Sequence, residues 1–190
     1  CSASDPAVID FERAAEDDRV FQLPVPDGVP AWLQGAQVFG VRGADGFRFV
    51  RCPFSAAEEL RWTRAALCEW AEPPNESNLQ AHHGPVTGLF DSHVRCGSRP
   101  SLLASLSWVT LGYHYQWTSR QYEARRRSVF PPELAGLAAD LARVAGFRLR
   151  AEAAIVNYYG AKSTMGGHRD DSEPCQSAPI VSLSFGLSGI

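Results

Sequence analysis

A histidine and an aspartate two positions apart, His168 and Asp170, are the residues of this chain whose types and spacing point most directly to chemistry. Side chains at i and i+2 of an extended segment lie on the same face. An imidazole nitrogen and a carboxylate oxygen can therefore reach one ion, while Arg169 points away. They provide two of the three ligands of the 2-His-1-carboxylate triad, which holds Fe(II) and leaves open coordination positions. An ordinary surface turn is the alternative for such a short motif.

Asn157 and Tyr159 precede this triplet and have the same i, i+2 spacing. In a strand, both side chains lie on one face. An amide and a phenol can donate hydrogen bonds to the carboxylates of a small acid without adding charge to the site. Ordinary packing within a strand is the alternative.

Two predicted strands flank the triplet. Residues 153–159 are apolar enough for a buried strand, and residues 180–187 alternate in the manner of a second one. Between them lies a loop rich in Gly, Ser and Thr at residues 160–167, followed by the triplet and a polar turn. We therefore expect a strand, a loop carrying the ligands, and a second strand.

An aromatic strand is predicted at residues 106–117, with Tyr113, Tyr115 and Trp117 on one face and His114 on the other. These rings either fill a sheet core or form a wall on which a flat base stacks. A basic loop follows, and it contains Arg125, Arg126 and Arg127. Solvated charge is its ordinary role, and phosphate contact is the functional alternative.

The remaining elements are predicted from capping and periodicity. Strands near residues 37–41 and 47–50 flank a turn at residues 43–46. Ser55 and Glu58 form a capping box for a helix that runs to about Trp70, with Leu60 on its inner face. A second helix starts at Pro131 and stops at Gly146. Residues 73–100 have no periodicity, and their His82-His83 pair is an improbable metal site, because adjacent residues on an irregular loop seldom share one ion.

Composition limits the function classes. The chain has 18 Lys and Arg against 21 Asp and Glu, a net charge of −3, so the field of the whole molecule does not attract nucleic acid. Hydrophobic residues make up 45% of the chain, and none of their runs is long enough to span a bilayer, so no membrane partner is expected. Five scattered cysteines without a C-x-x-C pair favour reduced thiols and an intracellular location.

These motifs together resemble the AlkB family of Fe(II)/2-oxoglutarate dioxygenases. The similarity rests on N-Y-Y before H-R-D, on A-P-I-V-S-L-S-F-G after it, and on the aromatic strand and F-P-P-E-L helix start upstream. It is good over residues 101–190 and patchier over residues 7–54. The resemblance implies an α+β fold with a double-stranded β-helix (jelly-roll) core and flanking helices.

The family resemblance also implies a role for each candidate residue. His168 and Asp170 would bind the metal, and Asn157 and Tyr159 would bind the cosubstrate. Contacts to the substrate are implied for a third set, namely Trp108, Tyr113, Ser172, Glu173, Arg125, Arg126 and Arg127. The implied reaction is oxidative removal of N-methyl groups from bases, methyladenine among them, in tRNA or DNA, with Fe(II), 2-oxoglutarate and O2. A truncated, non-catalytic isoform or binding module, or a dioxygenase of the same fold acting on histone side chains, is the alternative.

The ends of the printed sequence suggest a fragment, because it starts at Cys1 rather than Met and stops at Ile190 after a predicted strand. We expect an N-terminal extension at residues 1–36 and a dioxygenase domain at residues 37–190 that is C-terminally incomplete. The resemblance puts the third ligand, a histidine, beyond the last residue. We therefore expect the chain as given to be inactive, and its parent to be a monomer in the nucleus, the mitochondrion or the cytoplasm.

Overall fold

The structure is a computed structural model that describes residues 8–51, 53–97 and 101–187. Its strands are β1 (Val20–Leu23), β2 (Gln37–Val41), β3 (Ala44–Arg51), β4 (Glu76–Ser77), β5 (Trp108–Gln116), β6 (Gln121–Arg127) and β7 (Ala153–Asn157). Its α-helices are α1 (Ala56–Ala65), α2 (Gln80–His83), α3 (Leu89–Cys96) and α4 (Pro132–Val144). Short 3-10 helices cover Phe11–Glu16, Ala31–Leu33 and Leu102–Ser105, and a π-helical turn at Ala66–Trp70 continues α1.

The chain divides into two compact units. The first unit is built from residues 1–59, 136–149 and 179–190, and the second from residues 60–135 and 150–178. The predicted boundary between residues 36 and 37 stays a prediction. Strand β1, from the predicted extension, pairs along its length with β2.

The first unit contains an antiparallel sheet in the order β1-β2-β3. The predicted strand at residues 37–41 is confirmed by β2. The predicted four-residue turn is wrong, because Val41 pairs with Ala44 and only Arg42 and Gly43 connect the strands. Gly43 has φ +80°, and this left-handed conformation lets a two-residue hairpin close. The ring of Phe11 stacks on Phe49 of β3 at 4.0 Å between centroids.

Helix α1 begins with the predicted capping box. The backbone N–H of Ser55 donates to Glu58 Oε2 at 2.8 Å, and the N–H of Glu58 donates back to Ser55 Oγ at 3.3 Å. The predicted inner position of Leu60 is wrong, because its side chain is 70% exposed. Trp70 is buried, as its place on the predicted core face requires, and Trp62 is buried beside it with ring centroids 6.0 Å apart. The wider π turn after α1 brings Trp70 back over Trp62.

The second unit contains a sheet in the order β4-β5-β6, and β7 also pairs with β5. All of these pairings are antiparallel. The absence of regular structure predicted for residues 73–100 is wrong, because this segment contains β4, α2 and α3. These elements are too short to show a clear periodicity in sequence. Gly112 in β5 has φ +70°, and a Cβ there would lie 2.0 Å from the carbonyl oxygen of Glu152.

Helix α4 confirms the prediction for residues 131–146. Its apolar stripe is buried, and it consists of Leu134, Leu137, Ala138, Leu141 and Val144. Gly146 follows the helix with φ +85°, and its N–H donates to the carbonyl of Arg143 at 2.9 Å, which closes the helix end.

The strand predicted at residues 180–187 is not formed. Burial along this stretch alternates with period two from Ile180 to Phe185, as in an extended chain. No other described segment forms a backbone ladder with it. The sequence pattern thus predicted the extended conformation correctly, but a strand also needs a hydrogen-bonded neighbour.

The fold class is α+β, as predicted, with antiparallel sheets and several helices of the type found in jelly-roll oxygenases. The described strands form no closed barrel. Within the described ranges, every helix is too short or too polar to cross a membrane.

Candidate metal and cosubstrate site

The predicted ligand pair lies on a segment that we call the ligand arm, residues 160–178, which follows β7 and has no regular secondary structure. His168 Nε2 lies 3.5 Å from Asp170 Oδ1, and both side chains are about half exposed. His168 Nδ1 lies 3.1 Å from the carbonyl oxygen of Gly166. A carbonyl only accepts, so in the neutral ring Nδ1 carries the proton and Nε2 presents its lone pair towards Asp170.

This geometry fits a shared metal ion. Two ligand atoms about 2.1 Å from one ion stand roughly 3.0 to 3.4 Å apart at angles between octahedral and tetrahedral. The separation of 3.5 Å between His168 Nε2 and Asp170 Oδ1 is close to this range. A backbone carbonyl that fixes the other imidazole nitrogen is a common outer-shell partner of ligating histidines. No described group of three or more His, Cys, Asp or Glu residues could hold a metal, so these residues supply a pair.

Strand β7 presents the predicted cosubstrate residues. Asn157 pairs with Trp108 of β5, and the side chains of Asn157 and Tyr159 are exposed. Tyr158, between them, turns inward and donates from its hydroxyl to the carbonyl of Ala66 at 2.6 Å. Burial raises the pKa of Tyr158. The alternation expected for residues 157–159 is therefore present, with the polar pair on the open face.

Tyr159 also reaches the ligand arm. Its hydroxyl lies 3.4 Å from the sulfur of Met165, three residues before His168. The backbone N–H of Gly160 donates to Ser163 Oγ at 3.0 Å, which tightens the start of the arm. The contacts of Tyr159 and the pairing of His168 with Asp170 thus belong to one short stretch of chain.

An aromatic cluster, which we call the aromatic wall, consists of Trp108, Tyr115, Trp117 and Tyr122. Trp117 contacts Trp108 and Tyr115, each at 5.0 Å between ring centroids. Tyr115 and Tyr122 are cross-strand partners in β5 and β6, with centroids 5.2 Å apart. Trp117 is 47% exposed, so part of the wall is open to a ligand.

The predicted substrate residues Ser172 and Glu173 contact this wall. Ser172 Oγ lies 3.2 Å from the hydroxyl of Tyr115, and the hydroxyl of Tyr122 donates to Glu173 Oε1 at 3.3 Å. Burial and the adjacent Glu173 carboxylate together raise the pKa of Tyr122. The ligand arm is thus joined to the β5–β6 hairpin just after Asp170.

The prediction of a loop for the basic residues is wrong, because they form strand β6. Its mostly polar residues obscured the strand. Strand β6 pairs with β5 alone among the described strands, and each of its residues except Tyr122 is exposed. Arg126 forms an ion pair with Glu76 at 2.6 Å. Arg127 lies over the ring of Tyr113 and donates to its hydroxyl at 3.1 Å. Arg125 is exposed.

The seven predicted substrate residues therefore fall into separate groups. Trp108 belongs to the aromatic wall, whereas Tyr113 stacks with Arg127. Direct contact of these residues with a substrate stays a prediction. The sequence analysis missed Tyr122, and its placement opposite Tyr115 becomes visible only once β6 is recognised as a strand.

Three other histidines, His82, His83 and His114, lie outside the ligand arm. His114 is 3% exposed, and its Nδ1 lies 2.8 Å from Thr110 Oγ1. Burial lowers the pKa of His114, and the nearby Glu76 carboxylate partly opposes that effect. His82 and His83 lie in the short helix α2, are exposed, and join no described cluster that could hold a metal. Among the described cysteines, Cys68, Cys96 and Cys175 are free.

Known proteins share this sequence pattern. The family model of the 2OG-Fe(II) oxygenase superfamily matches residues 47–190. The nucleic acid dioxygenase ALKBH1 of Mus musculus is 39% identical over 165 residues, which cover 81% of this chain and 42% of that protein. The ALKBH1 of Homo sapiens is 38% identical over 165 residues, which again cover 81% of this chain and 42% of that protein. The DNA N(6)-methyladenine demethylase ALKBH1A of Arabidopsis thaliana is 32% identical over 202 residues, 87% of this chain and 59% of that protein.

The chain spans less than half the length of the two mammalian relatives, 42% in each case. The family match covers the ligand pair, the Asn157 and Tyr159 positions and the aromatic wall alike. The chain therefore belongs to the 2OG-Fe(II) oxygenase superfamily and, within it, to the AlkB family.

Proposed function

We propose that this protein contributes metal and cosubstrate ligands to a dioxygenase that removes N-methyl groups from nucleic acid bases. The observation that carries the proposal is the His168–Asp170 pair, with Nε2 and Oδ1 at 3.5 Å and Nδ1 fixed by a carbonyl. The mouse and human relatives are named nucleic acid dioxygenases, and a Schizosaccharomyces pombe relative is named a tRNA demethylase. These names support a base in DNA or RNA as the substrate.

Each residue of the site has a definite task in this proposal. His168 Nε2 and Asp170 Oδ1 hold Fe(II), and the exposed donors of Asn157 and Tyr159 orient the carboxylates of 2-oxoglutarate. When bound, Fe(II) with 2-oxoglutarate and O2 supplies oxidation of an N-methyl group to an alcohol that leaves as formaldehyde, while 2-oxoglutarate becomes succinate and CO2. The Gly166 carbonyl keeps the proton on His168 Nδ1, so Nε2 remains available for the metal.

The aromatic wall supports the choice of a base as substrate. Trp117 presents a partly open ring, on which an unpaired base can stack with a free energy of about 1–3 kcal/mol. Arg125 is an exposed cation on the strand next to it and can contact a phosphate. The net charge of −3 means that the attraction of nucleic acid is local rather than a property of the whole molecule.

Metal binding is the primary test, because the described residues supply a ligand pair rather than a full set. Co(II) is titrated into the protein and followed by its visible absorption. We expect Asp170→Ala to weaken Co(II) binding by at least about tenfold, in line with the loss of a ligand. Asp171→Ala is the matched control, because it removes the same charge from the next, exposed position.

Substrate turnover is the second readout. The protein is incubated with Fe(II), 2-oxoglutarate and single-stranded DNA or tRNA containing methyladenine, and the demethylated base and formaldehyde are measured. Any turnover should disappear in Asp170→Ala and persist in Asp171→Ala. Co(II) affinities that are equal in wild type and Asp170→Ala contradict the proposal.

A further inference from the structure

The ligand arm is joined to the sheet by two tyrosine hydroxyls. Among the side-chain hydrogen bonds of the described residues, two connect the arm to β5 and β6, and they involve Tyr115 with Ser172 and Tyr122 with Glu173. The arm residues of these bonds, Ser172 and Glu173, follow Asp170 by two and three positions. The stretch from residue 163 to residue 171 is itself exposed and without regular structure.

We propose that Tyr115 and Tyr122 are positioning residues that hold the ligand arm on the β5–β6 hairpin, so that His168 and Asp170 are pre-formed as a metal-binding pair. The inference rests on the proposed function insofar as the pair binds a metal. Tyr115 and Tyr122 touch the arm rather than the metal, and they act through it.

The hairpin makes a rigid support for these hydroxyls. Tyr115 and Tyr122 are cross-strand partners, and their rings meet edge to face at 5.2 Å. The ring of Tyr115 also meets Trp117 edge to face at 5.0 Å. Packed aromatic rings have few accessible rotamers, so each hydroxyl is held at a defined place.

The ligand pair lies between two fixed points. Before it, Met165 contacts the hydroxyl of Tyr159 at the end of β7. After it, Ser172 and Glu173 are bound to the hairpin. Fixing both ends of a short loop before the metal arrives removes part of the ordering cost from the binding step.

This assignment gives Ser172 and Glu173 a role different from the one that the family resemblance implies. Their polar atoms are engaged by Tyr115 and Tyr122 in the protein without substrate. Each hydrogen bond uses only part of the capacity of its residue, because a carboxylate has two acceptor oxygens and a hydroxyl can both donate and accept. Glu173 can therefore anchor the arm through Oε1 while Oε2 stays available as an acceptor.

The test uses hydroxyl-deletion variants of the whole chain, Tyr115→Phe, Tyr122→Phe and the double variant. Tyr113→Phe is the matched control, because Tyr113 is in the same strand but its hydroxyl accepts from Arg127 rather than contacting the arm. The first readout needs no metal. Lys162 is the single lysine of the sequence and lies in the arm, so a lysine-specific protease reports the opening of that segment by one cleavage.

We expect cleavage at Lys162 to accelerate by roughly two- to tenfold for each hydroxyl removed, which is the range for one hydrogen bond. The second readout is the Co(II) affinity of the folded protein, which should weaken by a similar factor. A residue with only a structural role would lower the melting temperature and leave the affinity of the folded protein unchanged. Tyr113→Phe should change neither the cleavage rate nor the affinity.

A second pair of variants covers the case in which the tyrosine variants do not fold. Ser172→Ala and Glu173→Ala remove the same hydrogen bonds from the arm side, where folding depends less on the residues. Unchanged cleavage in both sets overturns the inference. Faster cleavage combined with no Co(II) binding by the wild type supports the anchoring of the arm and counts against the proposed function, so the two failures are distinguishable.

Discussion

Tyr158 lies between the two predicted cosubstrate residues, Asn157 and Tyr159, and removing its hydroxyl tests how β7 is held in place. The hydroxyl of Tyr158 donates to the carbonyl of Ala66 at 2.6 Å, where α1 passes into the π turn. Tyr158→Phe keeps the ring and deletes this donor. The strand that presents Asn157 and Tyr159 then loses its hydrogen bond to that helix.

The size of the effect follows from burial. A hydrogen bond of this type contributes about 0.5–1.5 kcal/mol, and a carbonyl left without its partner costs up to about 1–3 kcal/mol more when it is fully buried. Ala66 is only partly buried, so we expect a loss of about 1–2 kcal/mol. For a chain of this length, that corresponds to roughly 3–6 °C in melting temperature.

Urea unfolding followed by tryptophan fluorescence measures this loss, and Tyr159→Phe is the matched control. Tyr159 is 56% exposed, and its hydroxyl contacts only a thioether. Its removal should therefore cost less than about 0.5 kcal/mol. If the two variants unfold at the same urea concentration, the hydroxyl of Tyr158 does not stabilise the fold and the reasoning is refuted.

Three more predictions concern the sheet and its surface. Gly112→Ala should lower the free energy of unfolding by at least about 3 kcal/mol, because a Cβ would meet the Glu152 carbonyl at 2.0 Å on a backbone with φ +70°. The control is Gly136→Ala, in an open helical position, which should leave stability equal or higher in the same denaturation assay. Burial raises the pKa of both Tyr158 and Tyr122, so their contribution is complete below about pH 10, the ordinary tyrosine value, and declines as pH rises towards the folded-state values. Melting temperatures between pH 8 and 11 should fall less steeply in the Tyr122→Phe/Tyr158→Phe variant, and equal slopes would refute this origin. Arg125→Ala should reduce the slope of log binding constant against log salt concentration for single-stranded DNA by about one unit. Arg126→Ala should reduce it less, because Arg126 is already paired with Glu76. Equal effects of the two variants in a salt-titrated binding assay would contradict this prediction.

Local signals predicted the parts of the fold that depend on neighbours in sequence. The capping box at Ser55 and Glu58 formed because both partners lie within one helical turn. The apolar stripe of α4 was visible because its period is helical. The placement of Asn157 and Tyr159 on one face followed from the alternation of a strand.

The parts that the sequence analysis missed depend on contacts distant in sequence. Strand β6 has a polar sequence, and only its pairing with β5 makes it a strand. Leu60 was placed on the inner face from periodicity alone, whereas its burial depends on which neighbours the folded chain brings to that position. The hydrogen bond from Tyr122 to Glu173 joins residues 51 positions apart, so no local pattern predicts it.

The prediction at residues 180–187 also depended on a contact distant in sequence. The alternating burial of this stretch was readable from its sequence. Strand formation was not, because it requires a partner ladder, and the described residues provide none there. A period of two therefore predicts the conformation of a segment more reliably than its membership of a sheet.

The central claim is that His168 and Asp170 bind one metal ion together, and pulsed electron paramagnetic resonance of the Mn(II)-loaded protein tests it most directly. The account predicts nitrogen modulation from one bound imidazole in the wild type, its loss in His168→Ala, and its retention in His82→Ala and Asp171→Ala. Modulation that persists without His168, or bound Mn(II) that shows none in the wild type, would contradict the account.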